Sequence, residues 1–178
     1  PILTLGPVRI LAPECDIRIN HGLFPCERVL ARPLGCMLRT MVASEKYLSE
    51  KGLPKTPFDL EQHHLLGGND LIADSKLVLR SKNEVITVPY YPRLRLKDHV
   101  AARTAAICGL GISVHAFQYD TWEYVRRGQL CEVLPEWKPE PSPVSLLLPQ
   151  NKTLSSASRT LADFIEERWK SHPHLTHD

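Results

Sequence analysis

Asp98-His99-Val100-Ala101-Ala102-Arg103-Thr104-Ala105-Ala106-Ile107-Cys108-Gly109-Leu110-Gly111-Ile112-Ser113-Val114 is the stretch that decides the fold class. Asp98 is a strong N-cap, because its carboxylate accepts from the free N–H groups of a first helical turn. Val100 to Cys108 carries small and apolar residues with no breaker, and Gly109 supplies the stop. Gly109-Leu110-Gly111 then leads without a polar loop into an apolar strand from Ile112. A helix joined to a strand through two glycines packs closely on its own sheet, as in an α/β layer. The Gly-X-Gly is not a dinucleotide cradle. That fingerprint runs strand, glycines, helix; here the order is reversed and Val114 stands where the third glycine belongs.

Outward from this stretch, strands and helices alternate. Cys15 to Asn20 alternates in polarity and stops at His21-Gly22, which predicts a half-buried strand ending in a turn. Leu38 to Ala43 is a second predicted strand. Ser44 offers an N-cap for a helix over residues 45–51, and Gly52 ends it. Thr56-Pro57 opens a short helix to Gln62, with proline at the first helical position. Lys76 to Arg80 and Val85 to Val88 flank a turn at residues 81–84, a hairpin pattern. Asp120 is placed to start a helix ending at Arg126-Arg127-Gly128, with basic residues at the negative dipole end. Strands follow over 130–134 and 144–148. A final amphipathic helix spans 155–170, and the residues from His172 read as a frayed tail. The fold class is therefore α/β, with mostly parallel sheets expected.

Composition narrows the function. The 178 residues hold 22 Lys and Arg against 20 Asp and Glu, a formal net charge of +2. A chain that grips nucleic acid through its phosphates carries a clearer basic excess, so direct DNA or RNA binding by these residues is not expected. No apolar run has the ~18–20 residues of a membrane span. The start, Pro1-Ile2-Leu3-Thr4, shows neither Met nor the pattern of a signal peptide, which suggests a piece of something longer. Five cysteines (Cys15, Cys26, Cys36, Cys108, Cys131) include no Cys-X-X-Cys pair and read as reduced, buried thiols of a cytoplasmic protein, with Cys108 and Cys131 as small core residues. His63-His64 and the tail histidines His172, His174 and His177 match no metal signature, and no nucleophile motif is present. No cofactor, metal or catalytic residue is expected. Arg18, inside a strand, is either an anion ligand or a rim residue with a packed stem.

Five stretches taken together resemble the effector-binding (substrate-binding) domain of LysR-type transcriptional regulators. They are Asp16-Ile17-Arg18-Ile19-Asn20-His21-Gly22; Val42 to Leu48 with Gly52 to His63; Ala105 to Ile112; Arg127 to Trp137; and Leu148 to Ser155 with the Phe164-Ile165 helix. The resemblance spans residues 16 to about 169 and implies two Rossmann-like lobes of the type 2 periplasmic-binding-protein kind, joined by two crossovers. Residues 1–41 with 146–170 would form an incomplete lobe I, residues 42–145 lobe II, and 171–178 a tail. It also implies a dimer, a small-molecule effector in the cleft between lobes, and DNA contact only through a helix-turn-helix domain preceding this region. The sequence departs from the family pattern at Glu45 and at His115-Ala116, and Gly67-Gly68-Asn69-Asp70 replaces a segment that often carries Trp, so effector identity does not carry over.

Candidate effector residues follow from strand and helix ends. Asn20 and His21 are expected in the turn after the first strand, and Gly67 and Asn69 after a second-lobe strand. Asp98 and His99 open the strongest helix, where free N–H groups favour an anion unless the Asp98 cap offsets them. His115 stands at a family departure. The leading expectation is the ligand-sensing domain of a LysR-type regulator. The competing one is an exported solute-binding protein, which the absent signal sequence and the cysteines disfavour.

Overall fold

Asp98 caps a helix over His99–Ile107, its carboxylate accepting from the Ala101 N–H at 2.8 Å. The helix ends in a double closure: the Gly109 N–H donates to the Ala106 carbonyl and the Leu110 N–H to the Ala105 carbonyl. That arrangement requires a left-handed residue, and Gly109 supplies it with φ +80. Gly111 does a different job. A Cβ there would collide with the His64 carbonyl, so its absence lets the turn close on the neighbouring strand, where the Ile112 N–H donates to His64 O at 2.8 Å. The Gly-X-Gly is thus a helix stop and a close-packing device.

The structure, a computed structural model, describes residues 3–5, 15–22, 29–68, 76–96, 98–150, 153–171 and 175–176. Its strands are β1 Leu3–Leu5, β2 Ile17–His21, β3 Val29–Met37, β4 Arg39–Ala43, β5 Leu65–Gly68, β6 Lys76–Arg80, β7 Val85–Pro89, β8 Leu94–Leu96, β9 Ile112–Phe117, β10 Cys131–Glu132, β11 Lys138–Pro139, β12 Ser142–Pro149 and β13 Leu175–Thr176. The helices are α1 Glu45–Lys51, α2 His99–Ile107, α3 Gln118–Arg126 and α4 Ser156–Lys170, with a 3-10 segment at Pro57–Gln62. The chain forms two units, Pro1–Leu38 with Pro141–Asp178, and Arg39–Glu140.

The first unit is one sheet in the order β1-β2-β12-β3-β13. All of β12 pairs with β3 and half of it with β2, so the returning chain joins this unit before Ser142. Leu146, Leu147 and Leu148 are buried along β12. Salt bridges from Arg32 to Asp163 (3.0 Å) and Glu166 (3.8 Å) fasten α4 to β3. The sequence pattern hid β3, because Pro33 and Gly35 interrupt it. Pairing with β12 slips there, and β13 reaches only Met37 and Cys36, so among the described residues Pro33 lacks a second neighbour for the N–H it does not have. Leu175 and Thr176 are accordingly a strand and not part of a frayed tail.

The second unit has three layers. Its central sheet runs β10-β4-β9-β5-β8. One face packs Met41, Ala43, Leu65, Ile112 and Val114 against Leu77, Leu79, Val88 and Tyr90 of the β6-β7 hairpin region. The other face packs Val42, Leu66 and Ala116 against Ala105 and Ala106 of α2. Adjacent Leu65 and Leu66 go to opposite faces, as strand periodicity requires. The sheets are mixed and not mostly parallel as expected: β1-β2, β5-β8 and β5-β9 are parallel and the remaining pairs antiparallel.

Local readings differ in three places. The third helix starts at Gln118, two residues before the expected start at Asp120, which sits within its first turn and pairs with Arg103. The strand expected over 130–134 is reduced to Cys131–Glu132. Cys15 is buried and Cys131 partly so, but Cys108 is exposed, on the side of α2 away from buried Ala102, Ala105 and Ala106. Cys26 and the tail histidines lie outside the described residues.

Candidate functional site

In the second unit, the parallel strands β5, β8 and β9 end at one edge of the sheet, and α2 begins there. Open α/β sheets place ligands at such carboxyl ends. Antiparallel β4 brings its first residue, Arg39, to the same edge opposite Phe117. The register between β4 and β9 advances two residues on β4, from Thr40 to Val42, while β9 moves three, from Ala116 to Ser113. One extra residue is thus inserted in β9, and Val114 and His115 together oppose Met41. This bulge explains why Val114 faces one core and Ala116 the other, and it turns the His115 ring toward the β6-β7 layer.

There the His115 ring meets Tyr90 edge-on, with centroids 5.5 Å apart at 85°. The Tyr90 hydroxyl lies over Gly67, where a Cβ would collide with it. Gly67 is therefore needed for close approach. Tyr90 is 1% exposed, and burial pushes its hydroxyl up to about 12. Burial, and then the charge of Arg39, lowers His115 to about 3, so the imidazole is neutral at ordinary pH. Among the described residues, neither Tyr90 Oη nor His115 Nδ1 has a hydrogen-bond partner. Buried polar atoms left this way are rare and point to a missing partner.

Rings continue along the edge. The Arg39 guanidinium lies 5.6 Å from the Phe117 centroid, His99 meets Phe117 edge-on at 5.1 Å, and Tyr119 stacks on Phe117 at 5.7 Å. The structure thus joins Gly67 and His115 through Tyr90, and His99 and Arg39 through Phe117, with the Arg39 charge also felt at His115. Asp98 is exposed and committed to capping α2, so it offsets the attraction of that helix end for anions. Asn69 lies outside the described residues. Nothing in this set pairs a nucleophile with a base; a neutral imidazole, a phenol and a stacked guanidinium are groups for holding a ligand. Among the described residues no group of three His, Cys, Asp or Glu is placed to hold a metal ion, and no helix is long and apolar enough to cross a membrane.

Asn20 and His21 belong to the first unit and correct an expectation. They lie inside β2, not in the turn after it, paired in register with Ser145 and Val144. Asn20 is 1% exposed and His21 9%. Asn20 Nδ2 donates to the His21 carbonyl at 3.3 Å, while Asn20 Oδ1 is buried without a partner among the described residues. Arg18 is also buried in β2. Tyr90, Arg39 and Phe117 were not legible as site residues, because nothing in their local sequence separates them from strand-end packing.

Residues 6–170 match the family described as LysR substrate binding domain. YhjC, an uncharacterized HTH-type transcriptional regulator of Escherichia coli K12, is 34% identical over 151 residues, covering 84% of this chain and 50% of that protein. AaeR, an HTH-type transcriptional activator of the same strain, is 26% identical over 147 residues, covering 82% and 47%. The full-length structure of the Vibrio cholerae virulence activator AphB, a member of the LTTR family, superimposes with a TM-score of 0.76 at 27% identity, covering 95% of this chain and 56% of that one. The CrgA regulatory domain from Neisseria meningitidis, at 21% identity, shares the fold with a TM-score of 0.73. The chain spans about half the length of the curated relatives it matches.

Proposed function

The chain belongs to the LysR substrate-binding-domain family, and from that premise we propose that it senses a small molecule on behalf of a DNA-binding regulator. In this reading the whole protein is a cytoplasmic oligomer whose DNA contacts lie in a separate helix-turn-helix domain. The relatives are named as transcriptional regulators, which favours this over a transport solute-binding protein and over an enzyme. The single observation that carries the site is the pair of buried, unpartnered atoms, Tyr90 Oη and His115 Nδ1, at the carboxyl edge of the second unit's sheet. A ligand polar group would satisfy them, while the half-buried His99 ring offers a face to an apolar body. Gly67, Asn69, Asp98, His99 and His115 are proposed as effector residues, and Asn20 and His21 likewise, on the strength of the unpartnered Asn20 Oδ1.

Regulation requires that the ligand bind one state better than another, so binding must come first in any test. A library of small metabolites screened by thermal shift on this chain, with hits mapped by amide chemical shifts, tests the reading. The expected result is a hit that perturbs Gly67, His99 and His115 to Phe117 and loses affinity in His115→Ala and His99→Ala. A hit of equal affinity for the parent and both variants refutes the site.

A further inference from the structure

At the opposite edge of the same sheet, where β5, β8 and β9 begin, a cavity of about 340 Å³ opens between His64, Leu66, Arg93, Leu94, Gly109 and Leu110. Small-molecule sites start at about this size. Its frame is fixed by backbone bonds: the Arg93 N–H donates to Leu65 O at 2.9 Å and the Ile112 N–H to His64 O at 2.8 Å. The backbone N–H of His64 in turn donates to the Tyr47 hydroxyl at 2.8 Å.

The lining sets the apolar side chains of Leu94 and Leu110 beside two polar ones, the half-buried His64 ring and the exposed Arg93 guanidinium, of which Arg93 carries the charge. Arg93 Nη1 donates to the His64 ring, 2.5 Å from Nε2 and 3.2 Å from Nδ1. A ring nitrogen that accepts a hydrogen bond is unprotonated, and burial together with the charges of Arg93 and Lys51 lowers His64, in keeping with a neutral ring. Arg93 enters no ion pair among the described residues; its charge is met only by this neutral ring. Among the described residues no carboxylate lines the cavity. Lys46 adds positive charge nearby, its Cδ 4.0 Å from where a Cβ on Gly109 would stand. Leu110 is 51% exposed at the rim, apolar surface held open beside the guanidinium.

We propose that this cavity is an accessory binding site for a small organic carboxylate with an apolar body, the carboxylate held by Arg93 and the body by Leu94 and Leu110. Arginine presents two parallel N–H groups to a carboxylate, a geometry its contact with a single imidazole leaves unused. The site is distinct from the His115 edge and does not depend on that reading.

The test is a titration of the nitrogen-15-labelled chain with 3-phenylpropanoate, with 3-phenylpropanamide as the uncharged control. The expected result is saturable shifts at Leu94 and at Gly109 to Ile112, with affinity in the low millimolar range or tighter. The amide should bind at least about tenfold more weakly, and Arg93→Gln should weaken the acid by about tenfold. Leu110→Asp, which adds a like charge at the exposed rim and leaves Arg93 in place, should weaken it similarly. Equal binding of acid and amide, unchanged affinity in Arg93→Gln, absence of saturable shifts in that range, or shifts confined to Gly67 and His115 would each overturn the proposal.

Discussion

Replacing His115 with Phe isolates the energetic consequence of the β9 bulge. The ring stays edge-on to Tyr90, at the 5.5 Å spacing seen for the imidazole, and the buried, unpartnered Nδ1 becomes carbon. In the unfolded chain the imidazole takes up a proton near pH 6.5; in the folded chain it does so only near about 3. Between these values the unfolded state holds the extra proton, so acidification favours unfolding by up to about 1.4 kcal/mol per pH unit. Above about pH 6.5 the effect is absent. At about pH 5 it amounts to about 2 kcal/mol, since the folded imidazole is neutral there for any value below about 4. His115→Phe should therefore match the parent within about 1 kcal/mol at pH 8 and exceed it by about 2 kcal/mol at pH 5. Urea unfolding followed by far-ultraviolet circular dichroism at several pH values measures this. Parallel stability curves for the two proteins across this range would refute the buried, neutral imidazole.

Gly67→Ala drives a methyl group into the Tyr90 hydroxyl and should destabilise the protein by about 1–3 kcal/mol; adding Tyr90→Phe, which removes the oxygen, should recover part of that loss in the same urea assay. Equal losses in the single and double variants would mean that the hydroxyl is not what occupies the space over Gly67. Ser44→Ala removes the side chain that accepts from the Tyr47 N–H at the start of α1 and should cost about 1 kcal/mol, read as a lower urea midpoint with an unchanged slope.

Much of the fold is written in short-range signals, and the site is not. Ser44, Asp98, Gly52, Gly109 and Gly128 each mark a helix end by a property one residue carries alone, a capping oxygen or a tolerated positive φ, so the helix ends they mark can be read from sequence. The start of α3 carries no such signal: Phe117 precedes it without a side-chain cap, and a start at Asp120 lies two residues too far along. Strands depend on a partner. Pro33 and Gly35 make β3 look broken, yet β12 pairs with eight of its nine residues, and nothing within residues 29–37 says that β12 is there. The same dependence conceals the site. His115 was a candidate only because it departs from a family pattern, but its neutrality and its contact with Tyr90 follow from the residue inserted opposite Met41. A bulge is a property of two strands read against each other. Asn20 and His21 show the converse: each looked like a polar turn residue after an apolar strand, but β12 extends past both and draws them into the sheet. Buried there, Asn20 leaves one acceptor atom without a partner, and that makes it a stronger ligand candidate than a solvated turn residue, for which water would satisfy the same atom at no loss.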